Sequence, residues 1–201
     1  MDTILRHMTR RLVRNRAFEG VIGTVLDDVI ALLGAEYGNV QLPIGDELAI
    51  VAQRGLSAEF LRTFWRVKRD DGSACGRALA LGVPVGIPDI EKDHAFATFR
   101  RDARDAGFRA VQSTPMFTKD ERLFGIVSTH FVSVHQPTPI EMQTLKEYGG
   151  IAAEYAFMLL EESYQSIASR AQQMSAELYA QTLAPEASDR SARTPRRTGL
   201  A

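Results

Sequence analysis

Apolar residues recur at helical spacing in one long early stretch: Phe18, Val21, Ile22, Val25, Val29, Leu32 and Leu33, with Gly34 as a stop. The pattern then shortens. Asn39 to Ile44 and Leu48 to Gln53 read as two strands joined by Gly45-Asp46-Glu47. Ser57 is placed to cap a short helix over Glu59 to Val67, which carries Phe60, Leu61, Phe64 and Trp65. Ser73 similarly caps a helix over Ala74 to Leu81, ended by Gly82. Val83 to Ile87 reads as a buried strand broken by Pro88-Asp89, and Ala95 to Ala106 as a helix with Phe96 and Phe99 on one side.

The strongest pattern runs from Arg109 to Phe131, where two β-branched-rich runs flank the polar turn Lys119-Asp120-Glu121-Arg122. This is an antiparallel hairpin. With Thr118 opposite Leu123, Ser113 falls opposite Ser128 and Thr114 opposite Val127. Val111, Ser113, Pro115 and Phe117 then share one face, and Gln112, Thr114 and Met116 the other. Neither face is cleanly apolar or polar, which predicts a central hairpin covered on both sides. Its polar residues Gln112, Ser113, Thr114, Ser128, Thr129 and His130 need interior partners or a ligand.

Pro137-Thr138-Pro139 opens the last helix, whose packing face includes Ile140, Leu145, Tyr148, Ile151, Tyr155, Met158 and Leu159. Beyond it, Phe157, Leu160, Tyr164, Ile167, Ala171, Met174 and Leu178 are spaced alternately by three and four residues. That 3.5-residue period predicts a coiled-coil seam, and a second copy of the chain as its partner. The tail from residue 184 is too poor in apolar residues to fold and is expected to be disordered.

Charge is uneven. The net −1 combines +4 in the first sixteen residues, +2 in the last eighteen and −7 in the body between them. An acidic body argues against nucleic-acid binding. The basic N-terminal helix carries Ile4, Leu5, Met8, Leu12 and Val13 along one side. It reads as an extension of the domain or as a membrane-surface helix, the latter weakened by the short stripe without aromatics. One cysteine, Cys75, excludes an internal disulfide and a multi-thiolate zinc site. With no membrane-length apolar run and no secretory signal, a cytoplasmic location is expected.

AVQSTPMF, a charged turn and RLFGIVSTHF resemble the closing hairpin of a GAF domain, the small-molecule-sensing module of bacterial signalling proteins. GNVQLPIGDELAIVAQRGLSAEFL resembles the opening of the same sheet. The resemblance covers about residues 17–160. It implies an α/β fold with a central antiparallel sheet of five or six strands and helices on both faces, to which the seam adds a long C-terminal coiled-coil helix. The expected organisation is a basic helix over 1–16, the GAF-like domain over 17–160, the coiled-coil signalling helix over 161–183 and the tail over 184–201.

What the resemblance implies about function is regulated binding of a small molecule whose identity the sequence does not give, with a signal passed through the dimeric helix to a kinase or regulator acting in trans. In that reading Phe60, Phe64, Phe96 and Phe99 wall a cavity, Asp89 stands near its mouth, and Gln112, Ser113 and His130 supply polar contacts. No catalytic triad, carboxylate pair or metal-binding motif stands out. The lone Cys75, followed by Gly76, lacks the partners of the methionine-sulfoxide-reducing and bilin-binding relatives and reads as a small buried thiol. A dimerisation module without a ligand and a cryptic enzyme using Cys75 or His130 remain the alternatives.

Overall fold

The computed structural model describes residues 3–69, 71–162 and 166–183. Two helices lead, α1 (Thr3–Leu12) and α2 (Phe18–Leu33), and the hairpin β1 (Tyr37–Ile44) and β2 (Glu47–Arg54) follows. Next come α3 (Ala58–Phe64), β3 (Arg66–Lys68), α4 (Ala74–Leu81) and β4 (Val85–Ile87). A 3-10 turn at Ala97–Phe99 and α5 (Arg100–Asp105) precede β5 (Ala110–Phe117) and β6 (Leu123–Phe131). The chain closes with α6 (Pro139–Glu162) and α7 (Ile167–Leu183).

The six strands form one antiparallel sheet in the order β3-β2-β1-β6-β5-β4. Ser113 does pair with Ser128, and Thr114 with Val127. A bulge between Met116 and Phe117 then shifts the register, so that Phe117 rather than Thr118 meets Leu123. One face of the sheet carries α1, α2, α6 and α7 over a core that includes Ile22, Leu42, Phe124 and Tyr148. The other carries α3, α4 and α5 over a core that includes Ile50, Phe60, Ile87 and Phe108.

Several segments differ from their local patterns. The helix expected to reach Val67 ends at Phe64, because pairing of Val67 with Leu48 buries Val67 in an added edge strand. The helix expected over Ala95 to Ala106 is one 3-10 turn and six α-helical residues. The strand expected from Val83 begins at Val85, and Val83 stays exposed.

The largest difference lies at the C-terminus. The expected long helix is two helices in the described chain, and α7 packs on β1 and β2 beside α2. Leu160, Ala171 and Met174 join the core of that face, while Leu178 reaches the opposite core. Phe157 lies under the Arg122 guanidinium, 4.5 Å from ring centroid to Cζ. A stripe repeating every three and four residues fixes an apolar side but not what covers it, and here the chain's own sheet does. Tyr164 and the tail over 184–201 lie outside the described residues.

The basic N-terminal helix is likewise part of the domain. Leu5, Met8 and Leu12 of its apolar stripe are buried in the domain core, while Ile4 and Val13 stay exposed. Arg11 pairs with the buried Asp28 of α2 at 2.9 Å, and Tyr148 of α6 donates to the same carboxylate at 2.6 Å. Among the described residues no helix is long and apolar enough to cross a membrane.

Candidate functional site

Successive side chains of a strand point to opposite faces, so β1 sends Val40 and Leu42 into the α2 side and Asn39 and Gln41 to the other. Register then aligns a polar row across the sheet: Asn39 is paired with Ser128, and Ser128 with Ser113. The two serine hydroxyls are 2.8 Å apart. His130 stands one step along β6, paired with Tyr37. Over this polar floor lies a phenylalanine roof formed by Phe60 and Phe64 of α3, with Phe96 and Phe108 beside them.

The aromatic contacts fix the roof. Phe60 and Phe64 stack at 4.5 Å between centroids, and the His130 ring meets Phe108 edge-on at 4.6 Å and Phe60 at 5.4 Å. Between floor and roof is a cavity of about 20 Å³, which is room for about one water molecule. Asn39 Oδ1, Gln41 Oε1 and His130 Nδ1 are buried there without a hydrogen-bond partner. Buried polar atoms are nearly always paired, so three bare ones around one cavity are unusual. Burial pushes the His130 imidazole down to about 3, with only the Tyr37 backbone favouring its charged form. The ring is therefore neutral near pH 7.

The N-terminal turn of α4 closes one side. Ser73 caps it, accepting from the Gly76 N–H at 3.0 Å, and Asp71 accepts from the Ser73 N–H at 2.8 Å and from its hydroxyl at 2.5 Å. Gly76 is required there, since a Cβ would lie 2.7 Å from the Lys68 carbonyl oxygen. Cys75 is buried 3.3 Å from the Ser73 hydroxyl, and desolvation pushes its thiol upward. A thiol held protonated is a poor nucleophile.

Of the residues expected at the site, the fold brings together Phe60, Phe64, Phe96, Ser113 and His130. Phe99 stands behind them, packed on Phe64 at 5.1 Å and Phe96 at 5.8 Å. Gln112 points to the opposite face and bonds Thr114 at 3.3 Å, as the pleat demands of a neighbour of Ser113. Asp89 is not in the lining. Its carboxylate holds Arg109 at 2.6 and 3.1 Å and accepts from the Glu91 N–H, and the Arg109 hydrogen bonds lower it to about 2. It secures the loop that carries Phe96, together with Arg104 on Glu91 and Arg77 on Asp93.

Asn39, Gln41, Ser73, Ala74, Cys75, Phe108, Val111 and Ser128 complete the lining, and of these only Ser128 stood among the hairpin residues expected to need a partner or a ligand. The signal for two of them was present: Asn39 and Gln41 alternate with apolar residues inside a strand. Among the described residues no cluster of His, Cys, Asp and Glu is placed to hold a metal ion.

The sequence model of the GAF domain matches residues 15–156. No curated protein matches the chain. Solved structures share its fold at low identity. The GAF domain of a phosphoenolpyruvate-protein phosphotransferase (ptsP) from Coxiella burnetii is 18% identical with a TM-score of 0.67, covering 80% of this chain and 95% of that one. The free methionine-R-sulfoxide reductase from Neisseria meningitidis, in complex with its substrate, is 18% identical with a TM-score of 0.63, over 80% and 89% of the two chains. The chromophore-binding domain of the bacteriophytochrome RpBphP3 from R. palustris is 18% identical with a TM-score of 0.61, over 80% of this chain. This chain spans 61% of that domain and 38% of the longer RpBphP3 structure. Matched by the family model over residues 15–156, most of its length, and sharing the overall fold of solved GAF domains, the chain belongs to the GAF domain family.

Proposed function

We propose that this GAF domain is a sensory or regulatory module that binds a small molecule between the sheet and α3, and that α7 carries the response. The observation behind this reading is the set of three unpartnered polar atoms around a phenylalanine-roofed cavity. Ligand sites combine apolar walls with a few convergent polar groups. A catalytic role has little support, since the one thiol is buried and held protonated.

The relay is short. Trp65 follows the roof residue Phe64 and meets Tyr179 of α7 at 4.9 Å between ring centroids. A ligand that displaced α3 would disturb that contact and bias α7 between docked and undocked states, provided it binds one state more tightly. Undocking would free Ile167, Ala171, Met174 and Leu178 to pair with a second copy of the chain or with a kinase or regulator in trans. Activity inside the cell is the natural setting for such a device.

Native mass spectrometry of freshly purified protein tests the binding. One retained small molecule per chain, lost when Ser113→Phe fills the cavity, supports sensing. A well-folded protein that never retains a molecule supports the ligand-free dimerisation module instead.

A further inference from the structure

Asn39 Oδ1 and Gln41 Oε1 are acceptors left without a donor in the cavity, His130 Nδ1 is unpartnered beside them, and none of the thirteen lining residues is Asp, Glu, Lys or Arg. We infer that the ligand of this cavity is an uncharged, planar molecule presenting N–H donors to these acceptors between phenylalanine faces. The inference rests on the sensory reading and narrows it to a chemical class.

Two arguments carry it, both from charge. An anion would be buried among bare acceptors with no counter-ion, which is costly. The N-terminus of α4 does not rescue it, because Ser73 already caps that end and Asp71 already supplies its negative charge. A cation would be drawn to the phenylalanine faces, but the lining contains no carboxylate to pair with it once it is desolvated.

A ring-sized ligand needs more than the 20 Å³ present, and the wall that yields is α3. The opposite wall, the loop before Phe96, is clamped by the Arg77–Asp93, Arg104–Glu91 and Arg109–Asp89 pairs. The seven-residue α3 has its Ser57 cap, Thr63 donating to Asp102 at 3.2 Å, and the packing of Phe60, Leu61 and Phe64 in the core. Its departure would move Trp65, the single tryptophan of the chain.

Four molecules of one shape test the class: benzamide (neutral donor), acetophenone (neutral, no N–H), benzoate (anion) and benzamidine (cation). The readout is the Trp65 indole N–H resonance of the full chain on titration. Benzamide is expected to shift it saturably, at least tenfold more tightly than the other three. Gln41→Leu should weaken benzamide by about tenfold, the worth of one hydrogen bond, while leaving the fold intact. A charged or donor-free analogue binding as tightly overturns the class and leaves the sensory reading standing. No saturable shift with any of the four also overturns the class, and if native mass spectrometry then finds no retained molecule, the sensory reading falls with it.

Discussion

The rings of Trp65 and Tyr179 meet edge to face with 4.9 Å between centroids, joining the roof helix α3 to the C-terminal helix α7. Because Trp65 is the single tryptophan, its fluorescence reports this contact. Tyr179→Ala is expected to shift its emission to the red as water replaces the phenol ring. Truncation after Glu162 should do the same and also lower stability, because Ala171 and Met174 are buried against the domain. Burial of a Met side chain alone is worth about 2 kcal/mol. Unchanged emission and an unchanged urea midpoint in the truncated chain would show that α7 is not docked in solution.

Tyr148→Phe removes the 2.6 Å bond to Asp28, leaving a buried carboxylate with Arg11 as its charged partner. Desolvation already raises the Asp28 pKa, so its ionised form is short of support. A loss of about 2 kcal/mol is expected, measured by urea denaturation near neutral pH. The pair joins α2 to α6 across the N-terminal half of the core, so the loss should be global rather than confined to one helix.

His130 makes stability fall in acid. Its folded pKa of about 3 lies below the ordinary value of 6.5, so the unfolded chain binds one more proton between those limits. The contribution is fully present above pH 6.5. It is lost at on the order of 1.4 kcal/mol per pH unit as pH falls towards 3. His130→Phe should flatten that slope between pH 6 and 4, as followed by urea midpoints. An equal slope in the variant would place the titrating group elsewhere.

Gln41 leaves an acceptor bare in the ligand-free protein. Gln41→Met, of similar volume, is expected to raise stability by about 1 kcal/mol, since an unpaired buried polar group costs about that much or more. Such a gain is what a site held ready for a ligand predicts. A loss of stability would mean that an ordered water already satisfies the amide.

Cys75 should resist alkylation in the native protein at pH 8, since burial both shields the thiol and disfavours its thiolate. Labelling with a thiol reagent in increasing urea should follow global unfolding. Fast modification of the folded protein would reopen a chemical role for this residue.

Sequence by itself determined what local periodicity and turn chemistry encode. The α2 stripe, the β1–β2 hairpin, the two serine-capped helices and the Ser113–Ser128 register are all short-range consequences of spacing. So was the pleat that parts Gln112 from Ser113, although both belonged to the expected site. Tertiary structure decided what covers each apolar face. The stripe over Ile167 to Leu178 satisfies a coiled coil or a sheet equally well, and only the exposed surface of β1 and β2 selects the sheet. The unpartnered cavity atoms were likewise invisible in sequence, because an Asn, a Gln and a His each find partners in most settings. That these three lack them depends on which side chains the roof brings over β1 and β6, and phenylalanines have nothing to donate.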